Sequence, residues 1–251
     1  MTNSPKPWWS AAVIAAREEE VRAGLDATAH DIRNDFASYK ALANGDDVIS
    51  SGLFLHNEYE LWRINTICRD YHRIASRYLQ RMPRSAIDLG CGAGFTTDGL
   101  KRVWSSASIF GVDVSVDAIS FAQRQFPYCH FIARAIDPGD LFESGPFDFV
   151  LCQEFYPFTR TGSLESHQEW LRLLLNNLTA KGIAVIMVSS VTEDSINDTF
   201  HRLSSEFALR KVAVATPRIA RYLSFGMSRC FAFALRVIRP TSVRNLYILT
   251  K

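Results

Sequence analysis

Residues 84–98 read RSAIDLGCGAGFTTD, and this stretch decides the fold that we predict for the chain. A strand over residues 85–89 leads toward a helix predicted to begin at Phe95, and three glycines lie between them: Gly90, Gly92 and Gly94. A strand, a glycine-rich turn and a helix N-terminus in this order place backbone N–H groups beside a bound ligand. A Cβ atom in such a turn would collide with the ligand or with the turn itself.

The composition is that of a globular domain with an uneven distribution of charge. The chain has 251 residues, of which 47% are hydrophobic and 22% charged, which suits one large α/β domain with an added helical segment. Residues 207–251 contain several arginines but no Asp or Glu. This basic segment could meet an anionic substrate, a membrane surface or nucleic acid, or could simply be a solvated helix face.

The cysteines and the apolar segments predict an intracellular protein. The five cysteines are scattered without a CxxC motif, which argues against a disulfide framework or a zinc site and suits a reducing compartment. The N-terminal apolar run is short and is followed by three glutamates, so we expect no secretory signal. No stretch reaches the length of a membrane span. A cytoplasmic location is therefore predicted.

The pattern of apolar residues predicts an alternation of strands and helices after residue 84. Predicted strands lie at 85–89, 108–112, 129–133, 147–152, 183–189, 208–215 and 243–250. Predicted helices lie at 8–43, 57–81, 95–104, 116–125, 164–178, 193–206 and 217–238. This order favours an α/β domain over 84–251, with a seven-stranded, mostly parallel sheet, helices on both faces and a helical insertion at about 217–240. Residues 1–83 would form an N-terminal helical extension, which could be a cap or an extra packing layer.

Ligands of such sheets bind beyond the carboxyl ends of the strands, and several polar residues are predicted to lie there. Asp113 ends the second strand, Asp137 follows the third, and residues 152–154 end the fourth. The glycine turn itself does not match the dinucleotide pattern GxGxxG, because Phe95 occupies the position of the last glycine.

The stretch AIDLGCGAGF resembles the first motif of the class I S-adenosylmethionine-dependent methyltransferases, and the similarity extends over residues 84–190 in motif order and spacing. The resemblance implies a Rossmann-like fold and S-adenosyl-L-methionine as cofactor. It implies that Asp88, Gly90 and Gly92 hold the methionine part, with Asp88 near the ammonium group. It also implies that Asp113 accepts the ribose hydroxyls and Asp137 the adenine amino group. Other cofactor contacts implied by it are Cys91, Gly94, Val114, Ile136, Cys152 and Gln153.

These acidic residues also have structural interpretations. Asp88 could cap backbone N–H groups, Asp113 could cap a helix, and Asp137 begins the turn Asp-Pro-Gly. The sequence alone leaves both interpretations open.

Methyl transfer requires that donor and acceptor be held in line and close, and a hydroxyl acceptor usually also needs a general base. The aromatic, acid-bearing segment after the fourth strand supplies the candidates Glu154 and Tyr156, and His167 lies near the start of the next helix. His167 would reach the mouth of the pocket, or would be an ordinary exposed helix residue.

The absence of two family motifs restricts the class of acceptor that we expect. No NPPY or DPPY follows the fourth strand, and Ser189-Ser190 follows the fifth where the metal-dependent branch of the family has Asp-Asn, so neither nucleic acid nor a metal is expected. We expect a small-molecule O or N acceptor of sugar or secondary-metabolite type, with an anionic acceptor and a homodimer as further options. The alternatives are a non-catalytic cofactor-binding regulator, or another transferase on the same fold, such as an aminopropyl transferase.

Two segments outside the resemblance are expected to set specificity, namely the N-terminal helices and residues 217–240. Aromatic and apolar side chains there could line the acceptor site: Trp8, Trp9, Tyr222, Phe225 and Met227. Arginines could meet a phosphate or carboxylate: Arg218, Arg221 and Arg229. A dimer interface, ordinary core or contact with a membrane surface are the alternatives.

Overall fold

The computed structural model describes residues 58–159, 163–188, 193–220, 223–238 and 243–251. The helices are α1 Glu58–Tyr78, α2 Phe95–Val103, α3 Val116–Gln125, α4 Tyr156–Thr159, α5 Leu164–Asn176, α6 Glu193–Leu203, α7 Pro217–Ala220 and α8 Phe225–Ile238. The strands are β1 Ser85–Leu89, β2 Ser108–Asp113, β3 His130–Ala133, β4 Phe147–Gln153, β5 Leu178–Val188, β6 Leu209–Ala215 and β7 Val243–Thr250. The predicted helix 8–43, with Trp8 and Trp9, lies outside the described residues.

The strands form one seven-stranded sheet in the order β3-β2-β1-β4-β5-β7-β6. The pairs among β1 to β5 are parallel, whereas β7 runs antiparallel to both β5 and β6. Helices cover both faces, so the central strands are buried over most of their length, as β4 illustrates, in which only the last residue, Gln153, is not buried. The predicted α/β fold with a mostly parallel, seven-stranded sheet is confirmed.

Helix α1 packs into the core of the sheet domain. Its apolar side (Ile67, Cys68, Tyr71, Ile74 and Ala75) is buried in the same cluster as Ala86 of β1 and Leu100 of α2. The described part of the predicted extension 1–83 is therefore a layer of this domain. For residues 1–57, which lie outside the described residues, the division at residue 83 stays a prediction.

The boundary between α5 and β5 differs from the prediction. Helix α5 ends at Asn176 instead of residue 178, and β5 begins at Leu178 instead of residue 183. The Asn177 side chain donates to the carbonyls of Leu173 and Asp140 and accepts from the Phe142 N–H. These bonds end the helix, and β5 then pairs with β4 at once, with a shift in register between Phe147 and Phe149.

The predicted helix 217–238 is divided in two. Helix α7 ends at Ala220, and α8 begins at Phe225. Among the described helices, none is both long enough and apolar enough to cross a membrane. The described residues also contain no group of three or more potential metal-ligating side chains.

Candidate functional site

The glycine loop connects β1 to α2 and is tied to the end of β2. The N–H groups of Gly90 and Cys91 donate to the Val112 carbonyl, at 2.8 and 3.1 Å. The Gly92 N–H donates to Asp113 Oδ2 at 2.8 Å, and the Ser115 N–H donates to Oδ1 of the same carboxylate at 2.9 Å. Asp113 thus joins the loop to the start of α3.

The loop glycines are required by their conformation and by their packing. Gly90, Gly92 and Gly94 have φ angles of 74°, 52° and 81°, which L-residues with side chains rarely adopt. A Cβ atom at Gly90 would lie 2.8 Å from the ring of Phe155, and one at Gly94 would lie 2.7 Å from the ring of Phe131. The collisions expected from the sequence thus occur against aromatic rings that support the turn.

Asp88 is a buried acid directly beneath this loop. Its side chain is 1% exposed, and its Oδ2 accepts a hydrogen bond from Thr97 Oγ1 of α2 at 2.8 Å. Burial raises the pKa of the Asp88 carboxyl to about 7, an effect that the Thr97 hydrogen bond opposes and the charge of Asp113 adds to. No cationic side chain in the described part of the chain contributes to lowering this pKa.

The remaining loop residues lie around the two acids. Cys91 and Val114 are half-buried. Burial and the neighbouring carboxylates of Asp113 and Asp88 raise the pKa of the Cys91 thiol well above its ordinary value, so this sulfur is neutral at physiological pH.

Beyond β3, Ile136 and Asp137 lie in different surroundings. Ile136 is 3% exposed and packs in the same core cluster as Leu89 and Val112. Asp137 is exposed at a turn in which its N–H donates to the Asp140 carboxylate and its carbonyl accepts from the Asp140 N–H. Asp137 therefore begins a turn, as its structural interpretation expected, and its side chain lies on the surface.

The end of β4 lies at the same carboxyl edge of the sheet as the glycine loop and Asp113. Cys152 is fully buried, and Gln153 Oε1 accepts a hydrogen bond from the hydroxyl of Tyr71 at 2.8 Å. Glu154 follows with a φ of 51°, a left-handed conformation that is uncommon for a residue with a side chain. Its N–H donates to the Met187 carbonyl at 2.9 Å, and the half-buried Tyr156 begins α4 two residues later.

His167 lies in the protein core, which corrects both sequence-based expectations for it. It is 0% exposed, and its ring packs against Phe158 and Phe200. Its Nδ1 is 2.7 Å from Thr199 Oγ1, and the Thr199 hydroxyl donates to the Ile196 carbonyl. Because that hydroxyl has one hydrogen, Nδ1–H is the donor to Thr199. The apolar neighbours come from α4 and α6, which is why the helical pattern of α5 alone did not reveal the burial.

Two residues at this edge were not predicted to have a role. Thr97 holds Asp88, and its position nine residues after the acid, inside the first turns of α2, was the available signal. Tyr71 was predicted only as an apolar residue of its helix, although its hydroxyl reaches Gln153 across 82 residues of sequence. A long-range contact of this kind has no local sequence signal.

The fold and this edge together define a class of protein: a seven-stranded methyltransferase-type α/β domain with a glycine loop after the first strand. A family model for the methyltransferase domain matches residues 86–177. A trans-aconitate 2-methyltransferase of Rhodopseudomonas palustris (strain BisB5) is 26% identical over 136 residues, which are 51% of this chain and 46% of the relative. The enzyme of the same description from Yersinia pseudotuberculosis serotype O:1b is 28% identical over 126 residues, covering 50% and 45%. The chain spans about half the length of the curated relatives it matches.

Solved structures show the same fold over most of the chain. The plantazolicin methyltransferase BpumL, solved with a desmethyl plantazolicin analogue and S-adenosylhomocysteine, has a TM-score of 0.55 at 14% identity and covers 88% of this chain and 98% of its own. A TehB-like S-adenosylmethionine-dependent methyltransferase from Corynebacterium glutamicum has a TM-score of 0.52 at 15% identity, with coverage of 89% and 99%. Residues 86–177 thus match a methyltransferase domain, and the fold over most of the chain is the one found in these methyltransferase structures.

Proposed function

We propose that the protein transfers a methyl group from S-adenosyl-L-methionine to an oxygen or nitrogen atom of a small molecule. The observation that carries this proposal is the pair of acids at adjacent strand ends, Asp88 beneath the glycine loop and Asp113 beside it. The match of residues 86–177 to the methyltransferase domain model and the relatives' printed descriptions support the same reaction.

The residues of the loop fit the methionine end of this cofactor. Asp88 is buried with a raised pKa and without a cationic partner among the described residues. A ligand ammonium group placed beside Asp88 would supply the missing charge and favour the ionised carboxylate. Three left-handed glycines keep the loop free of side chains at this point.

Asp113 is the residue that we propose to bind the ribose of the cofactor. A carboxylate has about four lone-pair positions, and the described backbone bonds to Gly92 and Ser115 use two of them. A carboxylate at the end of β2, next to the glycine loop, also suits a pair of ligand hydroxyl groups. Gly94, Val114, Ile136, Asp137, Cys91 and Cys152 stay proposals as further contacts, with Ile136 beneath the loop as apolar support for an adenine ring.

The chemistry that S-adenosylmethionine supplies when bound is an electrophilic methyl group. The protein's part is to hold the acceptor in line with it and to exclude water. Glu154 and Tyr156 at the end of β4 are the residues that we propose at the acceptor, with Glu154 as general base toward a hydroxyl acceptor. His167 is not proposed again, because it is buried beside Thr199.

The acceptor class rests on what the relatives are described as methylating. Relatives named for trans-aconitate and for plantazolicin act on small molecules, which supports a small acceptor here as well. Sugar or secondary-metabolite acceptors remain our proposal within that class.

Calorimetry with S-adenosylhomocysteine tests the cofactor assignment. Changing Asp113→Ala removes the acceptor for two hydroxyl groups, and we expect binding weaker by about 1–3 kcal/mol. Asp117→Ala, an exposed acid four residues further on in α3, is the matched control and should bind as the parent chain does. Unchanged affinity after Asp113→Ala, or preferential binding of a nicotinamide dinucleotide, would overturn the assignment.

Transfer of a labelled methyl group into fractionated cell extract tests the reaction itself. We expect Glu154→Gln and Tyr156→Phe to slow the transfer while S-adenosylhomocysteine binding is retained. If both variants transfer the methyl group at the rate of the parent chain, the acceptor does not bind at Glu154 and Tyr156 as we propose. If the cofactor binds but no methyl group moves to any acceptor, a non-catalytic regulator is favoured, and transfer of an aminopropyl group instead would identify the third alternative.

A further inference from the structure

A groove lies on the α1 face of the sheet, away from the glycine loop. It is lined by residues of α1, α8, β6 and β7 and has a volume of about 360 Å³. That volume is at the lower end of the range for small-molecule sites. Strands β7 and β6 lie three and four positions from β1 in the sheet, which is about 14–19 Å at the usual strand spacing.

The floor of this groove is apolar. Ile74 of α1, Val212 of β6 and Ile248 of β7 line it, and all three belong to the buried core cluster on this face. Tyr78 and Phe225 add half-buried aromatic walls from the two helices. Because Ile74 and Ile248 are only 1% and 0% exposed, an apolar group in the groove would cover chiefly the half-buried rings of Tyr78 and Phe225.

The rim carries three arginines from three different elements: Arg77 of α1, Arg210 of β6 and Arg229 of α8. All three are exposed, and none forms a salt bridge with a carboxylate in the described part of the chain. A concave surface with unpaired charges of one sign attracts counter-ions. Arginine also matches carboxylate and phosphate oxygens with two parallel hydrogen bonds.

Among the residues that the structure describes, no carboxylate neutralises this rim. Residues 207–251, which contribute α8, β6 and β7, contain no Asp or Glu. The α1 carboxylate Asp70 is engaged by Arg244 at 2.6 Å. Lys211 also lines the groove, but its ammonium group donates to Asn197 at 2.5 Å and lies over the ring of Tyr247.

We propose that this groove is a second ligand site, distinct from the cofactor edge, which binds an organic anion consisting of an apolar body and a phosphate or carboxylate group. The apolar body lies against the half-buried rings of Tyr78 and Phe225, and the anionic group is held by Arg77, Arg210 and Arg229. The site does not depend on the proposed methyl transfer, because the groove shares no residue with the glycine loop or the end of β4.

The test is calorimetry on the full chain with three probes whose alkyl chains have five or six carbons: hexyl phosphate, hexanoate and hexanol. We expect one binding site for an anion, weaker binding at high salt because the contact is electrostatic, and little binding of hexanol. The comparison of hexyl phosphate with hexanoate identifies the preferred anionic group. Arg210→Gln and Arg229→Gln should each reduce the affinity about tenfold through loss of a charge-assisted hydrogen bond.

Arg202→Gln is the matched control, since Arg202 is exposed on α6, whose apolar side packs in the core cluster of the opposite face. It should leave binding unchanged. Equal binding of hexanol, equal loss in the control variant, or binding only to vesicles that contain phosphatidylglycerol would overturn the proposal. So would the absence of binding by every probe, because the groove would then be closed in the full chain. S-adenosylhomocysteine binding, measured on the same variants, should be unchanged and separates this proposal from the cofactor assignment.

Discussion

Asp88 is a carboxyl group held almost without solvent contact, with a pKa of about 7 against an ordinary value of 3.8. Between these two values the folded chain binds a proton that the unfolded chain does not. The free energy of unfolding should therefore fall as the pH rises from about 4 to 7. Asp88→Asn removes this fall, and we expect the variant to be more stable than the parent chain by about 1–3 kcal/mol at pH 8 and similar to it near pH 4. Urea denaturation across this pH range measures the difference, and parallel pH curves for the two chains would contradict it.

The raised pKa of the Asp88 carboxyl also predicts that protons are released when the cofactor binds. A ligand ammonium group favours the carboxylate, so binding near pH 6.5 should release protons from the parent chain and fewer from Asp88→Asn. Calorimetry with S-adenosylhomocysteine in two buffers of different ionisation enthalpy measures the number. Asp88→Asn should also bind the ligand more weakly. Equal proton release from both chains would assign the titration to another group.

Glu154 combines a candidate role in catalysis with an unfavourable backbone conformation. Its φ of 51° is left-handed, which costs a residue with a side chain about 1 kcal/mol relative to glycine. Glu154→Gly should therefore stabilise the fold by about 0.5–1 kcal/mol while it slows methyl transfer, whereas Glu154→Gln should slow transfer without the gain in stability. Thermal unfolding of the two variants, side by side, measures this. Equal melting temperatures would mean that the conformation is not strained.

Among individual residues, the sequence was sufficient to predict the roles of those whose partners are close along the chain. The Ser115 N–H lies two residues from Asp113, and the loop glycines follow β1 directly, so both could be inferred from the local order. The burial of His167 depends on Phe158 and Phe200, which come from other helices. No pattern within α5 distinguishes such a residue from an exposed one.

At the scale of elements, α1 is attached to the sheet by a buried ion pair. Arg244 of β7 donates to Asp70 at 2.6 Å, and the two side chains are 7% and 2% exposed. Asp70→Asn leaves a buried guanidinium without its counter-charge, and we expect a loss of about 3–5 kcal/mol in the free energy of unfolding. Replacing both residues, as Asp70→Leu with Arg244→Met, should cost less than the single change. Urea denaturation measures both.

The exposed pair of Arg172 and Glu206 provides the control for that prediction, with side chains that are 55% and 44% exposed. Glu206→Gln should change stability by less than about 1 kcal/mol, because solvent screens the pair. A similar loss at the two sites would mean that burial does not determine the effect.

Element types were easier to predict than element ends. The glycine turn and the helical periodicity located β1 and α1, but the end of α5 depends on the hydrogen bonds of Asn177 to Asp140 and Phe142, which are distant in sequence. The division of the helix predicted over 217–238 likewise had no marker, since residues 221–224 include neither Gly nor Pro.

At the scale of the molecule, α1 and the sheet should unfold as one unit, because α1 shares its core with β1 and α2. Native-state hydrogen exchange should give the α1 amides an opening free energy close to that of β1 and β4. A chain that begins at residue 84 should fail to fold, since it would expose the apolar face that α1 covers. Rapid exchange confined to α1, with β1 protected, would instead favour an independent extension.

The strand order was partly accessible from sequence. Alternating strands and helices predict parallel neighbours, and the family resemblance implies the sheet type. The antiparallel direction of β7 between β5 and β6 follows from pairing partners separated by at least 28 residues, and local periodicity carries no information about direction. The groove beside α8 could not be predicted for the same reason, because Arg77 and Arg210, which both line it, are distant in sequence.

The five cysteines differ sharply in how easily a reagent can reach them. Cys68, Cys129 and Cys152 are buried, Cys91 is half-buried with a raised thiol pKa, and only Cys230 is exposed. Cys230 is the residue after Arg229 on α8, and Arg229 lines the groove. A maleimide dye should thus attach at one position without any engineering of the chain. Its emission would report directly on occupancy of the groove, while the cofactor edge stays chemically untouched.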